Sequence, residues 1–274
     1  MNEDKNMNEG KKFIQPITIA AFIAGVVLVI LGYLILQSGI LNKNSLDTKS
    51  IIEHWGSSVV RIVCDDGFGN TWSGSGTLWN VNNNFVVTTN KHVADSQSCL
   101  AIVTPFKNAL SDVQNSLIYK ARKDSFRTLE GDLDFLSFSL EERESNIPLS
   151  KLAAYAHTMN KRCNKTLYPT GEQILILGYP AVGTLEGTAL TVNEGIISGI
   201  ESGFSFVEGG QFTWYVTSAK IEQGNSGGAA IASDGCFIGI PTWSSTGVIE
   251  SQGRLLIYSG EDSFIRSNLG SNKN

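Results

Sequence analysis

The chain has 274 residues, 42% hydrophobic and 17% charged, which is enough apolar material for a core and too little charge for a disordered polyelectrolyte. With 21 Lys plus Arg against 26 Asp plus Glu and a net charge of −5 it carries no basic footprint for nucleic acid, and its 28 glycines follow no collagen, solenoid or propeller period. At roughly 100–200 residues per domain the length allows one large domain or two small ones.

In chain order, residues 1–12 read as a short polar tail. Residues 13–42 contain no Asp, Glu, Lys, Arg or His, and within them Ile17–Leu36 (ITIAAFIAGVVLVILGYLIL) is predominantly apolar. At about 1.5 Å per residue such a helix covers about 30 Å, the hydrocarbon thickness of a bilayer. A cleaved signal peptide is the competing reading, but its apolar region is usually about 7–15 residues long and leads to small residues. The exit Leu36-Gln-Ser-Gly-Ile-Leu41 lacks that pattern, so a retained transmembrane anchor with the lipid bilayer as partner is expected. Lys5, Lys11 and Lys12 precede it and Lys43 and Lys49 follow. This small excess leans toward a cytoplasmic N-terminus and an extracytoplasmic C-terminal part.

Cys64, Cys99, Cys163 and Cys236 all lie beyond the apolar stretch and none forms a C-x-x-C pair, so zinc-ribbon spacing is absent. Cys64 and Cys99 fall in one half of the remaining chain, Cys163 and Cys236 in the other. We therefore expect disulfides within each half, which an oxidising compartment permits; buried free thiols are the alternative.

Residues 43–57 read as a linker or lead-in to the folded part. Beyond them the chain is broken every 8 to 12 residues by Gly, Asn, Asp or Ser between short runs of Val, Ile, Thr, Phe and Tyr, the punctuation of an all-β fold. The first half, 58–140, has six candidate strands: Ser58–Cys64, Trp72–Val81, Phe85–Thr89, Cys99–Thr104, Ser116–Ala121 and Asp134–Leu140. Residues 141–172, including the helical-looking SKLAAYAH, connect the halves. The second half, 173–260, has Gln173–Tyr179, Thr188–Ile200, Thr213–Ser218, Gly228–Ala232, Phe237–Thr242 and Leu255–Tyr258, with Phe204–Val207 as a possible extra strand. Residues 261–274 form a tail in which Glu261–Leu269 is a candidate helix.

The sharpest local signal is Gly224-Asn225-Ser226-Gly227-Gly228. Glycines this close to a serine suit a backbone that turns tightly while exposing Oγ and aiming N–H groups at a ligand, although an ordinary glycine-rich turn has the same composition. An α/β-hydrolase elbow would need its histidine after the serine, yet His54, His92 and His157 all precede Ser226. The subtilisin order could use Asp65 or Asp66, but the alternating helices and strands of that fold are not visible. The order His, Asp, Ser remains. His92 ends FVVTTNKH, a buried strand running into a turn, whereas His54 lies before the first strand and His157 lies in the connection.

At these residues a resemblance is plain. VVTTNKHV, DLDFLSFSL and GNSGG resemble the three catalytic segments of chymotrypsin-like serine proteases, in particular the HtrA-like, trypsin-type group. Ser73-Gly-Ser-Gly-Thr-Leu78 and Ile238-Gly-Ile-Pro-Thr242 add to it, over roughly Ser58 to Tyr258. The spacings of 42 residues from His92 to Asp134 and 92 from Asp134 to Ser226 compare with about 45 and 93 in the serine-protease template.

The resemblance implies two tandem six-stranded antiparallel β-barrels, consistent with the strand count, and a cleft in which His92, Asp134 and Ser226 hydrolyse peptide bonds. Asp132 is the alternative acid; choosing Asp134 sets Leu136, Phe138 and Leu140 on one face and keeps a carboxylate out of the core. The resemblance assigns the oxyanion hole to the amides of Gly224 and Ser226. It assigns the substrate pocket to the Ser218–Ile221 segment, with Lys220 hinting at acidic side chains, and to Ile240, Pro241 and Thr242. Asn225, where digestive proteases have Asp, cannot pair with a new N-terminal ammonium, so no proteolytic activation is expected. No PDZ module is expected after the second barrel. The expected partners are protein or peptide substrates, with no cofactor and no metal. The alternatives are a catalytically inactive, membrane-tethered binding or scaffold module of the same fold, and a soluble exported protease released near Gly39.

Overall fold

The computed structural model describes residues 25–31, 33, 47–94, 98–107, 110–128, 134–143, 147–158, 163, 165, 167–180, 189–204, 211–246 and 251–257. The chain divides into two units, Met1–Ser45 and Leu46–Asn274. In the first, residues 25–31 and 33 are helical and exposed; the rest of the apolar stretch lies outside the described residues. Among the described residues no helix is long and apolar enough to cross a membrane.

The second unit opens with helix α1 (Thr48–Trp55), in the segment read above as a linker. Its signal is short: Ile51 and Trp55, four residues apart, share one face and are its two buried side chains. Nine strands follow: β1 (Val59–Asp65), β2 (Thr71–Val81), β3 (Asn84–Thr89), β4 (Cys99–Val103), β5 (Phe106–Lys107), β6 (Leu110–Ser111), β7 (Leu117–Ala121), β8 (Arg127–Thr128) and β9 (Leu136–Glu141). The connection contains a 3₁₀ turn at Leu149–Ala154 and β10 (His157–Thr158). Then come β11 (Gln173–Gly178), β12 (Thr191–Phe204), β13 (Gln211–Thr217), β14 (Ala229–Ala232), β15 (Phe237–Thr246) and β16 (Ser251–Ile257).

Strands β1, β4, β7, β9, β3 and β2 form an antiparallel ring that β1 and β2 close by pairing with each other. Strands β11, β12, β13, β16, β15 and β14 form a second closed antiparallel barrel. These twelve match the twelve expected strands in order, with ends displaced by a few residues, and the two-barrel architecture expected from the sequence is present. The two-residue strands β5, β6, β8 and β10 were not anticipated; β10 adds in parallel to β2. Residues 205–207 of the possible extra strand and the whole candidate helix Glu261–Leu269 lie outside the described residues.

The local reasons are readable. Asn82 and Asn83, both at positive φ, join β2 to β3 as a two-residue hairpin loop, the conformation Asn tolerates best after Gly. In β11 the run Ile174–Leu177 is apolar throughout because both faces are buried: Ile174 and Ile176 face the second barrel's interior, Leu175 and Leu177, with Tyr179 just beyond the strand, the layer between the barrels. Strand β14 divides likewise, Ala230 and Ala232 inward, Ala229 and Ile231 outward. Trp55 of α1, Trp79 of β2 and Phe237 of β15 join that middle layer, and Trp55 Nε1 donates to the carbonyl of Gly235 at 3.0 Å. The helix therefore fastens the two barrels together, and the barrel contact positions the cleft.

Candidate active site

His92 sits in the turn that ends β3. The carbonyl of Asn90 accepts from the amides of Val93 and Ala94, closing the turn, and His92 lies on its rim with its side chain 51% exposed. Asp134 lies two residues before β9, at φ 56°, a left-handed conformation that Asp tolerates better than most residues. Its carboxylate uses both oxygens on one residue: Oδ2 lies 2.7 Å from His92 Nδ1, and Oδ1 accepts from the His92 amide at 3.0 Å. Its carbonyl accepts in turn from the Lys91 amide at 3.2 Å and from Asn90 Nδ2 at 2.8 Å. Asp134 is thus laced to three successive residues of the histidine turn. Asp132 lies outside the described residues.

Ser226 comes from the turn before β14. The turn is held by hydrogen bonds from the Asn225 amide to the Glu222 carbonyl, from Gly228 to Asn225 and from Gly227 to Pro241. Among the described residues, the amides of Gly224 and Ser226 have no such acceptor. Gly224 and Gly227 take φ values of 96° and 87°, which a side chain would oppose. At Gly227 a Cβ would also fall 2.1 Å from the Ser75 carbonyl oxygen, so the loop lies directly on β2 of the first barrel. Asn225 is fully buried, and its Oδ1 accepts from Thr191 Oγ1 at 3.4 Å.

His92, Asp134, Ser226 and Thr242 line one cleft of about 440 Å³, whose wall is completed by Ile221, Glu222 and Gln223. Ser226 Oγ donates to the carbonyl of Thr242 at 2.9 Å, so in this conformation its single proton points there. Thr242 reaches the site because the β15–β16 register shifts between Pro241 and Trp243, a bulge that re-aims one residue. Its hydroxyl also receives Asn90 Nδ2 at 3.1 Å.

Of the pocket residues expected, only Thr242 and, from the Ser218–Ile221 segment, Ile221 line this cleft. Ile240 is fully buried in the layer between the barrels, and Pro241 is buried opposite Leu255. Lys220 turns outward, 69% exposed, in an ion pair with Glu222 at 2.5 Å. Glu222, and not Lys220, is among the residues lining this cleft. His157 is buried and stacked on Trp55 with ring centroids 3.7 Å apart, and His54 meets it edge-on at 5.2 Å; neither lines the cleft. Disulfides join Cys64 to Cys99 and Cys163 to Cys236, the pairing expected from the halves of the chain.

Sequence reading missed Ser75, Asn90 and Glu222. The first was within reach, since Ser75 is the serine of the SGSGTL segment noted for its resemblance.

The double barrel and the cleft define a chymotrypsin-like fold, and comparison with known proteins agrees. The trypsin-like peptidase domain matches residues 74–240, and the chain belongs to that family. Among solved structures, an HtrA-type protease, AlgW, with a tripeptide is 19% identical, with a TM-score of 0.53 over 77% of this chain and 60% of that one. A serine endoprotease from Yersinia pestis is 22% identical, TM-score 0.51, covering 77% and 62%. The Rv3671c protease from M. tuberculosis in its active form is 19% identical, TM-score 0.55, covering 84% and 89%. The chain spans about three fifths of the length of the first two. No curated protein sequence matches it.

Proposed function

We propose that the chain is a serine endopeptidase that cleaves protein or peptide substrates through an acyl-enzyme on Ser226. The observation that carries this reading is the 2.7 Å contact between His92 Nδ1 and Asp134 Oδ2 in the cleft that Ser226 also lines. That bond holds the imidazole with its proton on Nδ1 and leaves Nε2 free to act as base. Ser226 Oγ turns from Thr242 toward Nε2, attacks the scissile carbonyl carbon and gives up its proton to His92. The imidazolium returns the proton to the leaving amine as the C–N bond breaks. Water then repeats the sequence on the ester, releasing the acid and restoring Ser226. The unengaged amides of Gly224 and Ser226 receive the negative oxygen of each tetrahedral intermediate.

A fluorophosphonate probe tests this on the full chain. Covalent labelling at Ser226, abolished in Ser226→Ala, is expected. A folded protein that does not label while a control protease does would favour the tethered binding module instead.

We further propose that Ile17–Leu36 anchors the protein in a bilayer with the catalytic unit on the extracytoplasmic side. The length of that apolar run and the lysines before it support this. Intact-mass measurement of the mature protein, with added protease digesting the catalytic unit from outside, tests it. Loss of the first 39 residues or so would show release instead.

A further inference from the structure

Ser75, in the middle of β2, uses every polar atom it has within the cleft's foundations. It is fully buried. Its Oγ donates to the carbonyl of Gly224 at 2.7 Å and accepts from the amide of Tyr179 at 2.7 Å. Its own amide donates to the carbonyl of Ser226 at 2.9 Å, and its carbonyl accepts from Thr89 Oγ1 at 2.7 Å. The first barrel thus grips the nucleophile loop of the second at two carbonyls, those of Gly224 and Ser226. The carbonyl between them, on Asn225, is held by Gly228. The peptide plane that carries the Ser226 amide is thus held directly at the Asn225 carbonyl, and Ser75 holds the planes on either side of it.

We propose that Ser75 is a positioning residue: its hydroxyl, reaching across from the first barrel, sets the orientation of the oxyanion-binding amides of the second. The inference rests on the peptidase reading of the cleft. Glycines at the contact support it. A Cβ at Gly178 would come within 3.1 Å of Ser75 Oγ, and one at Gly227 would strike the Ser75 carbonyl, so both neighbours are cut back to admit this residue. Among the described residues, the Gly224 carbonyl and the Tyr179 amide have no other hydrogen-bond partner, so without the hydroxyl the loop must shift to satisfy them.

Ser125 provides the matched control. It too is buried, donates to a backbone carbonyl (Arg122, 2.6 Å) and accepts a backbone amide (Ser139, 2.9 Å), but in the first barrel away from the cleft. The experiment compares Ser75→Ala and Ser125→Ala in the full chain by thermal unfolding, by the rate constant for fluorophosphonate labelling, and by kcat and KM on a p-nitrophenyl ester. Both variants should lose similar stability. Ser75→Ala should label and turn over about 10–100-fold more slowly, the scale of a displaced catalytic geometry, with KM within about threefold of wild type. Ser125→Ala should match wild type in rate. Ser75→Cys, which keeps the volume with a weaker donor, should fall between and serves if the alanine variant does not fold. Folded Ser75 variants that label and turn over at the wild-type rate overturn the role of Ser75 alone. A wild-type protein that does not label overturns the peptidase reading, and this inference with it.

Discussion

Replacing Asp134 by Asn isolates the carboxylate from everything else at that position. Asn adopts the left-handed backbone of residue 134 as readily as Asp does, so φ 56° is kept. The side chain cannot do the same work, because both carboxylate oxygens accept from His92, one from the ring and one from the amide. An amide has one oxygen. If that oxygen keeps the His92 backbone N–H, the NH₂ faces Nδ1, donates to it and moves the ring proton to Nε2, where the imidazole cannot take the Ser226 proton. If the amide flips, its NH₂ meets the backbone N–H donor to donor, at a cost of about 1–3 kcal/mol for the stranded groups. The first arrangement disables the base, and the second keeps the productive tautomer only at that cost, so the inactive tautomer dominates. The same change in the serine-protease template lowers kcat by about 10⁴, about 5.5 kcal/mol of barrier, and a loss of that size is expected here. The assay is p-nitrophenyl ester hydrolysis with fluorophosphonate labelling, beside thermal unfolding to show that the fold persists. Asp132→Asn should leave the rate within a few fold. Retention of more than a tenth of the rate by Asp134→Asn, with a large loss in Asp132→Asn, would refute the assignment.

Two further expectations concern the fold that carries the cleft. Trp55→Ala removes a fully buried side chain that stacks on His157 and donates to Gly235. It should cost about 3–5 kcal/mol, and at about 2–4 °C per kcal/mol thermal unfolding should show a fall of roughly 6–20 °C; a shift below about 2 °C would show that α1 is not a structural clasp. Burial pushes the Tyr179 phenol up to about 12, and burial also raises Tyr168 and Tyr215. The unfolded chain releases these protons from about pH 10 upward while the folded chain keeps them, so stability should fall between pH 10 and 12, by up to about 1.4 kcal/mol per pH unit for Tyr179. Tyr179→Phe should flatten that decline in denaturant titrations; an unchanged slope would contradict it.

What the sequence revealed and concealed follows from the range of the interactions. The barrel strands were legible because each rests on a pattern within its own few residues: the continuous apolar run of β11, or the alternation of Leu136, Phe138 and Leu140. GNSGG and the histidine turn were legible as local shapes. Helix α1 within 43–57 was not legible because its apolar signal is only Ile51 and Trp55, too short a period to stand out. Thr242 was marked by resemblance, but its route into the site depends on a bulge that only pairing with β16 creates. Ser75 and Asn90 act through partners 149 and 152 residues away, and no window of sequence contains both ends. The pairing of Lys220 with Glu222, which itself lines the cleft, was not legible because sequence does not show which way either side chain points.

The two-faced burial of β11 has a bearing on how the second barrel finds its alignment. Where one face of a strand is polar, a slip of one residue is punished by burying charges and exposing Leu or Ile. Strand β11 lacks that safeguard, because Ile174, Leu175, Ile176 and Leu177 are all apolar and all buried. The penalty for slippage must come from shape. Gly178 supplies it: a Cβ there would lie 2.9 Å from the Asn225 backbone, and a slip in either direction would press Leu177 or Tyr179 into that space. The loop that presents Ser226 therefore acts as a gauge for the strand beneath it, accepting the one alignment in which a residue without a side chain arrives at the crossing.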